Sequence, residues 1–202
     1  MIKSAIFDLG GVYFTDGTRE AVKKISQRYD LNPEELSNLF GTKSKIGKLY
    51  RQGKITSKQF WNEFEKRFKL KVNEKELTNQ WISFYKPIIG TINLIKKLRK
   101  KRIKIYFLSD NVKERSEHLQ SKFNFLENFN GGLFSHKIGR TKSDGIEVFK
   151  MALKQTGDKA KNVVFIDDKE DYVKTARKLG MNAILFKNPQ QLNKELTKIL
   201  KK

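Results

Sequence analysis

Residues 163–181 read VVFIDDKEDYVKTARKLGM. Val163 to Ile166 is an unbroken apolar run of the length of a buried strand, and it stops at Asp167-Asp168. Beyond the pair, Tyr172 to Leu179 carries a helical pattern, and Gly180 is placed to end it as a C′ glycine. Two adjacent carboxylates at the end of an apolar strand repel each other unless something positive sits between them. The stretch therefore reads as a strand that delivers acid groups to a site and then feeds a helix.

The same unit recurs along the chain. Ser4 to Phe7 is a short apolar run ending at Asp8, with Gly10 and Gly11 just after it. Ile103 to Leu108 ends at Ser109-Asp110-Asn111. Leu133 to Ile138 is a weaker strand pattern, with Lys142 following. Ala183 to Phe186 ends before Asn188-Pro189. Helical patterns alternate with these runs at Ile92 to Arg102 and Ile146 to Gln155. A last one starts at Pro189, where Asn188 can cap and Leu192, Leu196, Ile199 and Leu200 form one stripe. The alternation predicts an α/β fold: a Rossmann-like parallel sheet with helices on both faces. Ligands of such sheets bind beyond the carboxyl ends of the strands, where Asp8, Ser109, Lys142 and Asp167-Asp168 all fall. Singly, each has an ordinary explanation: a turn aspartate, a helix cap, a surface lysine. Their occurrence at successive strand ends is the specific signal.

Residues 15 to 89 break the alternation, with helical segments near 18–29, 33–40, 43–52, 56–68 and 73–85. Thr56 and Ser57 are candidate caps of the fourth, and Asn73 with Glu76 resembles a capping box for the fifth. The expected organisation is an α/β core of residues 1–14 and 90–202 with an all-helical insertion, 15–89. Phe60, Trp61, Phe64, Trp81 and Phe84 sit at helical spacing and read as core packing of that insertion rather than as substrate contacts.

The chain has 202 residues, 38% of them hydrophobic, with 15 Phe, which is enough to bury a core. The absence of Cys excludes disulfides, thiolate metal sites and cysteine nucleophiles. No signal-peptide pattern or membrane span is read, so a cytoplasmic location and no membrane partner are expected. The net charge of +21 comes mostly from lysines spread along the whole chain. It reads as a solvated surface; a nucleic-acid partner is compatible with it, but no motif supports one. His118 and His136 have no evident acidic partner and are poor catalytic candidates.

The four strand-end motifs resemble those of the haloacid dehalogenase superfamily. AIFDLGGVYF (5–14) is similar to its first motif and IKIYFLSDN (103–111) to its second. FSHKIGRTKSDG (134–145) is similar to the third and VVFIDDKEDYVKTARKLGM to the fourth. The insertion resembles the family's helical cap, and GKITSKQFW (53–61) resembles caps of sugar-phosphate phosphatases and of the phosphatase domain of soluble epoxide hydrolase. The resemblance implies a phosphatase for a small phosphorylated substrate, with Asp8 forming an aspartyl phosphate. It implies Mg²⁺ held by Asp8, the Gly10 carbonyl and Asp168, with Asp167 as alternative or supporting ligand. It further implies phosphate binding by Ser109, Asp110, Asn111 and the backbone at Gly10 and Gly11, and charge neutralisation by Lys142. A dehalogenase proper, and a weakly catalytic binding protein with a basic surface, are the alternatives.

Three positions depart from the family pattern. Gly10 stands where phosphatases of this family have an acid–base Asp, which predicts slow turnover unless Asp16 or Asp110 takes the role. Lys142 is followed by Ser143 instead of the usual proline, and Arg140 and Lys137 are alternative cations. Tyr172 replaces the usual Asn after the paired acids.

Overall fold

The computed structural model describes residues 1–201. Its elements run β1 (Ser4–Phe7), α1 (Gly17–Tyr29), α2 (Pro33–Phe40), α3 (Lys45–Arg51), α4 (Ser57–Phe68), α5 (Glu74–Ser83) and α6 (Ile89–Lys100). There follow β2 (Lys104–Ser109), α7 (Lys113–Phe123), β3 (Gly131–Phe134), α8 (Ser135–Ile138), α9 (Ile146–Thr156), β4 (Val163–Asp167), α10 (Glu170–Lys178), β5 (Asn182–Leu185) and α11 (Pro189–Leu200). Among the described residues, no helix is long and apolar enough to cross a membrane.

The five strands form one parallel sheet in the order β3-β2-β1-β4-β5. The period-2 alternation of strand side chains assigns them to two separate clusters. Ala5, Phe7, Ile105, Phe107, Val164 and Ile166 pack with Leu94, Ile95 and Leu98 of α6, Leu119 of α7, and Leu192 and Leu196 of α11. Ile6, Tyr106, Leu108, Val163 and Phe165 pack with Val148, Phe149 and Ala152 of α9 and Ala176 of α10. Both faces of the sheet are covered, which is why β1, β2 and β4 read as apolar runs.

α1 to α5 gather around a cluster of their own, built on Leu36, Leu39, Phe40, Tyr50, Phe60, Trp61, Phe64, Leu77 and Trp81. Phe40 and Trp81 stack with ring centroids 4.5 Å apart. The chain enters and leaves this set along paired segments: Thr15 N–H donates to the Lys86 carbonyl (2.9 Å) and Ile88 N–H to the Tyr13 carbonyl (2.8 Å). Thr56 caps α4 in a full capping box with Gln59. Asn73 caps α5 with only one half of the box, accepting from Glu76 N–H. Asn188 caps α11.

One strand differs from expectation. The pattern at Leu133–Ile138 suggested a strand throughout, but β3 stops at Phe134 and Ser135–Ile138 forms a helical turn. Ser135 Oγ accepts from Asn111 N–H (2.8 Å) and reaches the Arg51 carbonyl (2.5 Å), which draws the chain out of the sheet. His136 therefore lies in α8, not in a strand.

Candidate active site

Strand register assembles the site. Phe7 is level with Phe107 on β2 and with Ile166 on β4, so Asp8, one residue on, emerges beside Asp167. Asp8 N–H donates to the Ile166 carbonyl (2.8 Å), continuing the ladder, and Asp8 Oδ1 accepts from Leu9 N–H (2.7 Å). Lys142 arrives from the far side on a short 3₁₀ turn, Lys142–Asp144, fixed by a capping box between Thr141 and Asp144. Its Nζ lies 3.0 Å from Asp8 Oδ2 and 2.6 Å from Asp167 Oδ2. All three side chains are buried, and the Tyr172 ring centroid lies 4.8 Å from the ammonium. The residue that replaces the family's Asn thus covers the lysine.

Burial and charge oppose each other here. Burial pushes the Asp167 carboxyl up to about 7, against the pull of Lys142. Burial acts to lower the Lys142 ammonium, but Asp167, Asp8 and Asp110 outweigh it and hold the value well above the ordinary lysine range. Asp168, though its residue is exposed overall, has its carboxyl raised by partial desolvation at the cavity wall and then by repulsion from Asp8. Asp8, Asp167 and Asp168 each offer an oxygen, all within 4.8 Å of one another. Asp168 has no ion-pair partner among the described residues, although it faces the other two acids.

The two glycines behave differently. Gly11 has φ +84°, which favours glycine, and a Cβ there would meet Asp168 Oδ2 at 2.4 Å and push that carboxylate away from its present position. A Cβ on Gly10 would meet nothing closer than Tyr85 Cε1 at 3.9 Å, ordinary contact distance. Gly10 lines the cavity over Asp8, which has a volume of about 200 Å³. Gly11 is not among its lining residues, and its amide is already donated to the Phe14 carbonyl (2.7 Å). The expected phosphate contact from Gly11 is therefore replaced by a turn that shapes the loop.

Ser109, at the end of β2, is buried, lines the cavity and makes no side-chain hydrogen bond among the described residues. It does not cap the next helix: Val112 holds that position, with no side-chain cap. Asp110 and Asn111 line the cavity but have other partners. Asp110 Oδ1 accepts from Lys142 N–H (2.9 Å), Oδ2 is buried without a partner, and burial pushes the carboxyl up. Asn111 Oδ1 accepts from Arg115 Nε. Lys137 and Arg140, the alternative cations, are exposed, and neither lines the cavity. Asp16 lines the cavity and caps α1. His136 Nδ1 lies 3.0 Å from the Asn111 carbonyl; neither it nor His118 lines the cavity. Phe60, Trp61, Phe64, Trp81 and Phe84 are likewise absent from the lining, and the first four are buried in the helical cluster.

Four residues at the site carried no readable sequence signal of their role: Arg51, Tyr85, Arg115 and Asp144. Arg51 and Arg115 line the cavity with Tyr85. Asp144 ties the Lys142 turn to α3 through Lys48 Nζ (2.5 Å) and Gln52 Nε2 (2.7 Å). The only hint available was the four-residue spacing of Asn111 and Arg115, a same-face distance on a helix.

This architecture is shared with solved structures. The HAD family enzyme bt-2542 from Bacteroides thetaiotaomicron superposes with a TM-score of 0.76 at 24% identity, covering 93% of this chain and 94% of that one. The same enzyme has been solved in complex with magnesium and inorganic phosphate. In sequence the chain is 26% identical to drimenol cyclase drtB of Aspergillus calidoustus, over 98% of this chain but only 37% of that protein's length. It is 22% identical to sesquiterpene phosphatase astK of Aspergillus oryzae, over 89% of this chain and 87% of that protein. The haloacid dehalogenase-like hydrolase family matches residues 5–186. That span runs from the first strand past the last and takes in Asp8, Ser109, Lys142 and Asp167-Asp168, and the chain belongs to this family.

Proposed function

We propose that this chain is a Mg²⁺-dependent phosphatase that takes the terminal phosphoryl group of a small phosphate ester onto Asp8. The observation that carries the reading is Asp8 held 3.0 Å from the buried ammonium of Lys142 at the mouth of the sheet, with Asp167 and Asp168 beside it. The similarity to a protein named as a sesquiterpene phosphatase, and to a fold solved with magnesium and phosphate, supports it.

The donor set fits Mg²⁺. Carboxylate oxygens of Asp8 and Asp168, with the Gly10 carbonyl, are hard ligands, and Asp168 faces two other acids with no cation of its own. Asp167 is committed to Lys142 and serves as a supporting partner. Bound there, Mg²⁺ supplies charge stabilisation to the phosphoryl oxygens.

Asp8 Oδ attacks phosphorus in line with the leaving oxygen, and water hydrolyses the aspartyl phosphate. Lys142 neutralises charge between Asp8 and the phosphoryl group, pre-positioned by Asp167 and Tyr172. The free hydroxyl of Ser109 donates to a phosphoryl oxygen. The helical insertion, residues 15–89, acts as the cap that closes the cavity. The test is hydrolysis of an aryl phosphate with and without Mg²⁺, in wild type and in Asp8→Asn. The reading requires turnover that needs both the metal and Asp8; turnover that survives the substitution would contradict it.

A further inference from the structure

The cavity over Asp8 contains two buried arginines with no acidic partner. Arg51 ends α3 and is 9% exposed; Arg115 lies on α7 and is 3% exposed. Among the described residues neither guanidinium has a carboxylate oxygen within ion-pair distance. Their hydrogen bonds all go to neutral acceptors. Arg51 donates from Nε and Nη2 to the Phe40 carbonyl (3.0 and 2.7 Å) and from Nη1 to the Asp110 carbonyl (2.7 Å). Arg115 donates to Asn111 Oδ1, to the Tyr85 hydroxyl, to Thr18 Oγ1 (3.3 Å) and to the Asp110 carbonyl (3.1 Å). Both stand near the ring of Trp81, at 5.9 and 5.5 Å. Burial lowers the Arg115 guanidinium to about 10.

A buried charge without a counterion is costly, and two in one cavity are more so. The cavity also holds Asp8, Asp16, Asp110, Asp168, Lys142 and Lys169. Asp8 is paired with Lys142; Asp110 accepts from the Lys142 amide and Asp16 caps α1, so these acids act on the arginines only at a distance and none forms an ion pair with them. The arginines are thus preset by neutral acceptors, with donor capacity left over: three of the five N–H groups of Arg51 and four of those of Arg115 are used.

Gly10 offers no acid to protonate a departing alkoxide. A phosphate monoester is a much weaker base and departs as an anion, provided that its charge is stabilised.

We propose that the substrate is an organic diphosphate, with its terminal phosphoryl group at Asp8 and its inner one between Arg51 and Arg115. This rests on the phosphatase reading above and names its substrate class. Asp8 Oδ bonds to the terminal phosphorus and the bond to the bridging oxygen breaks. The electron pair leaves on that oxygen, now part of an organic monophosphate whose charge the two guanidinium groups take up. Water then cleaves the aspartyl phosphate, restoring Asp8 and releasing orthophosphate and a proton.

The experiment is calorimetric titration of the full chain, in saturating Mg²⁺, with methylphosphonate and with the non-hydrolysable methylenediphosphonate. Wild type is expected to bind the diphosphonate about tenfold or more tighter. In Arg51→Gln and in Arg115→Gln that ratio falls below about threefold while methylphosphonate affinity changes little, and Arg→Lys at either site restores part of the preference. Equal affinity of wild type for the two probes overturns the proposal. So does a loss of both probes together in variants that keep their circular dichroism, since that marks the arginines as struts between α3 and α7. Aryl-phosphate turnover dependent on Asp8, alongside equal probe binding, would leave the phosphatase reading standing and remove the diphosphate. A diphosphonate preference without Asp8-dependent turnover of any ester would instead remove the hydrolysis.

Discussion

Lys142 Nζ stands 2.6 Å from Asp167 Oδ2, a buried ion pair whose second carboxylate, Asp8, is the proposed nucleophile. Removing the ammonium leaves two buried acids facing each other. Lys142→Gln is therefore expected to lower stability by about 3–5 kcal/mol in urea denaturation and to abolish turnover. Added Mg²⁺ should raise the melting temperature of the variant more than that of wild type, because the metal supplies part of the missing charge. A variant as stable as wild type would mean that Lys142 is not what holds Asp8 and Asp167 together.

Gly10 is an open position for a side chain: a Cβ there would have its nearest neighbour 3.9 Å away, and no positive φ strains it. Gly10→Asp should therefore fold and supply the missing acid. Turnover of an alkyl phosphate is expected to rise at least about tenfold, given the ~10²–10⁴-fold usual for general acid–base help. An aryl phosphate and an organic diphosphate, whose leaving groups need little protonation, should gain much less. A uniform gain on all three would point to a cause other than proton donation.

Asp168 is the exposed member of the acid trio and has no ion-pair partner among the described residues. Asp168→Asn should cost little stability but weaken Mg²⁺ binding by about tenfold or more, by comparison with the 10–100-fold lost even on removing an outer-sphere partner. Calorimetry with Mg²⁺ alone reads this directly. Chelation of the metal should stop wild-type turnover and be reversed by Mg²⁺. Unchanged affinity in the variant would remove Asp168 from the ligand set.

Asp144 latches the Lys142 turn to α3. Partial burial acts to raise its carboxyl, but hydrogen bonds from Lys48, Thr141 and Gln52 outweigh this and hold it at about 2, below its ordinary 3.8. A carboxyl depressed in the folded state stabilises above its unfolded value, and that stabilisation disappears as pH falls through the folded one. Asp144 thus contributes at most about 2 kcal/mol at neutral pH, and less once solvent screening of this partly exposed group is counted, lost between about pH 4 and pH 2. Stability of Asp144→Asn, followed by denaturation across that range, should fall less steeply with acid than that of wild type. Parallel curves would contradict the latch.

The strand ends were legible because apolar runs that stop at Asp8, Ser109 and Asp167 carry both the fold and the site on the same residues. Register then brings Asp8 beside Asp167 without further specification. The helical insertion was legible from its spacing and caps, and its aromatics pack as that spacing suggested. The end of β3 was not, because a hydroxyl contact from Ser135 to Arg51, distant in sequence, sets it. Nor were Arg51, Arg115 and Asp144. Polar side chains on amphipathic helices look alike in sequence, whether they reach solvent or converge beneath an insertion. Only tertiary packing separates them from the many other charges of a chain with net charge +21: α3 against the Lys142 turn for Asp144, and α3 and α7 over the cavity for Arg51 and Arg115.

The proposed reaction passes through a covalent phosphoryl group on Asp8. Acid quench of the Mg²⁺-loaded chain during turnover of an aryl phosphate, followed by peptide mass spectrometry, reads it directly. One added phosphoryl group is expected on the peptide containing Asp8, labile to hydroxylamine and absent in Asp8→Asn. Turnover at full rate with that peptide unmodified, or with the group on another residue, would contradict it.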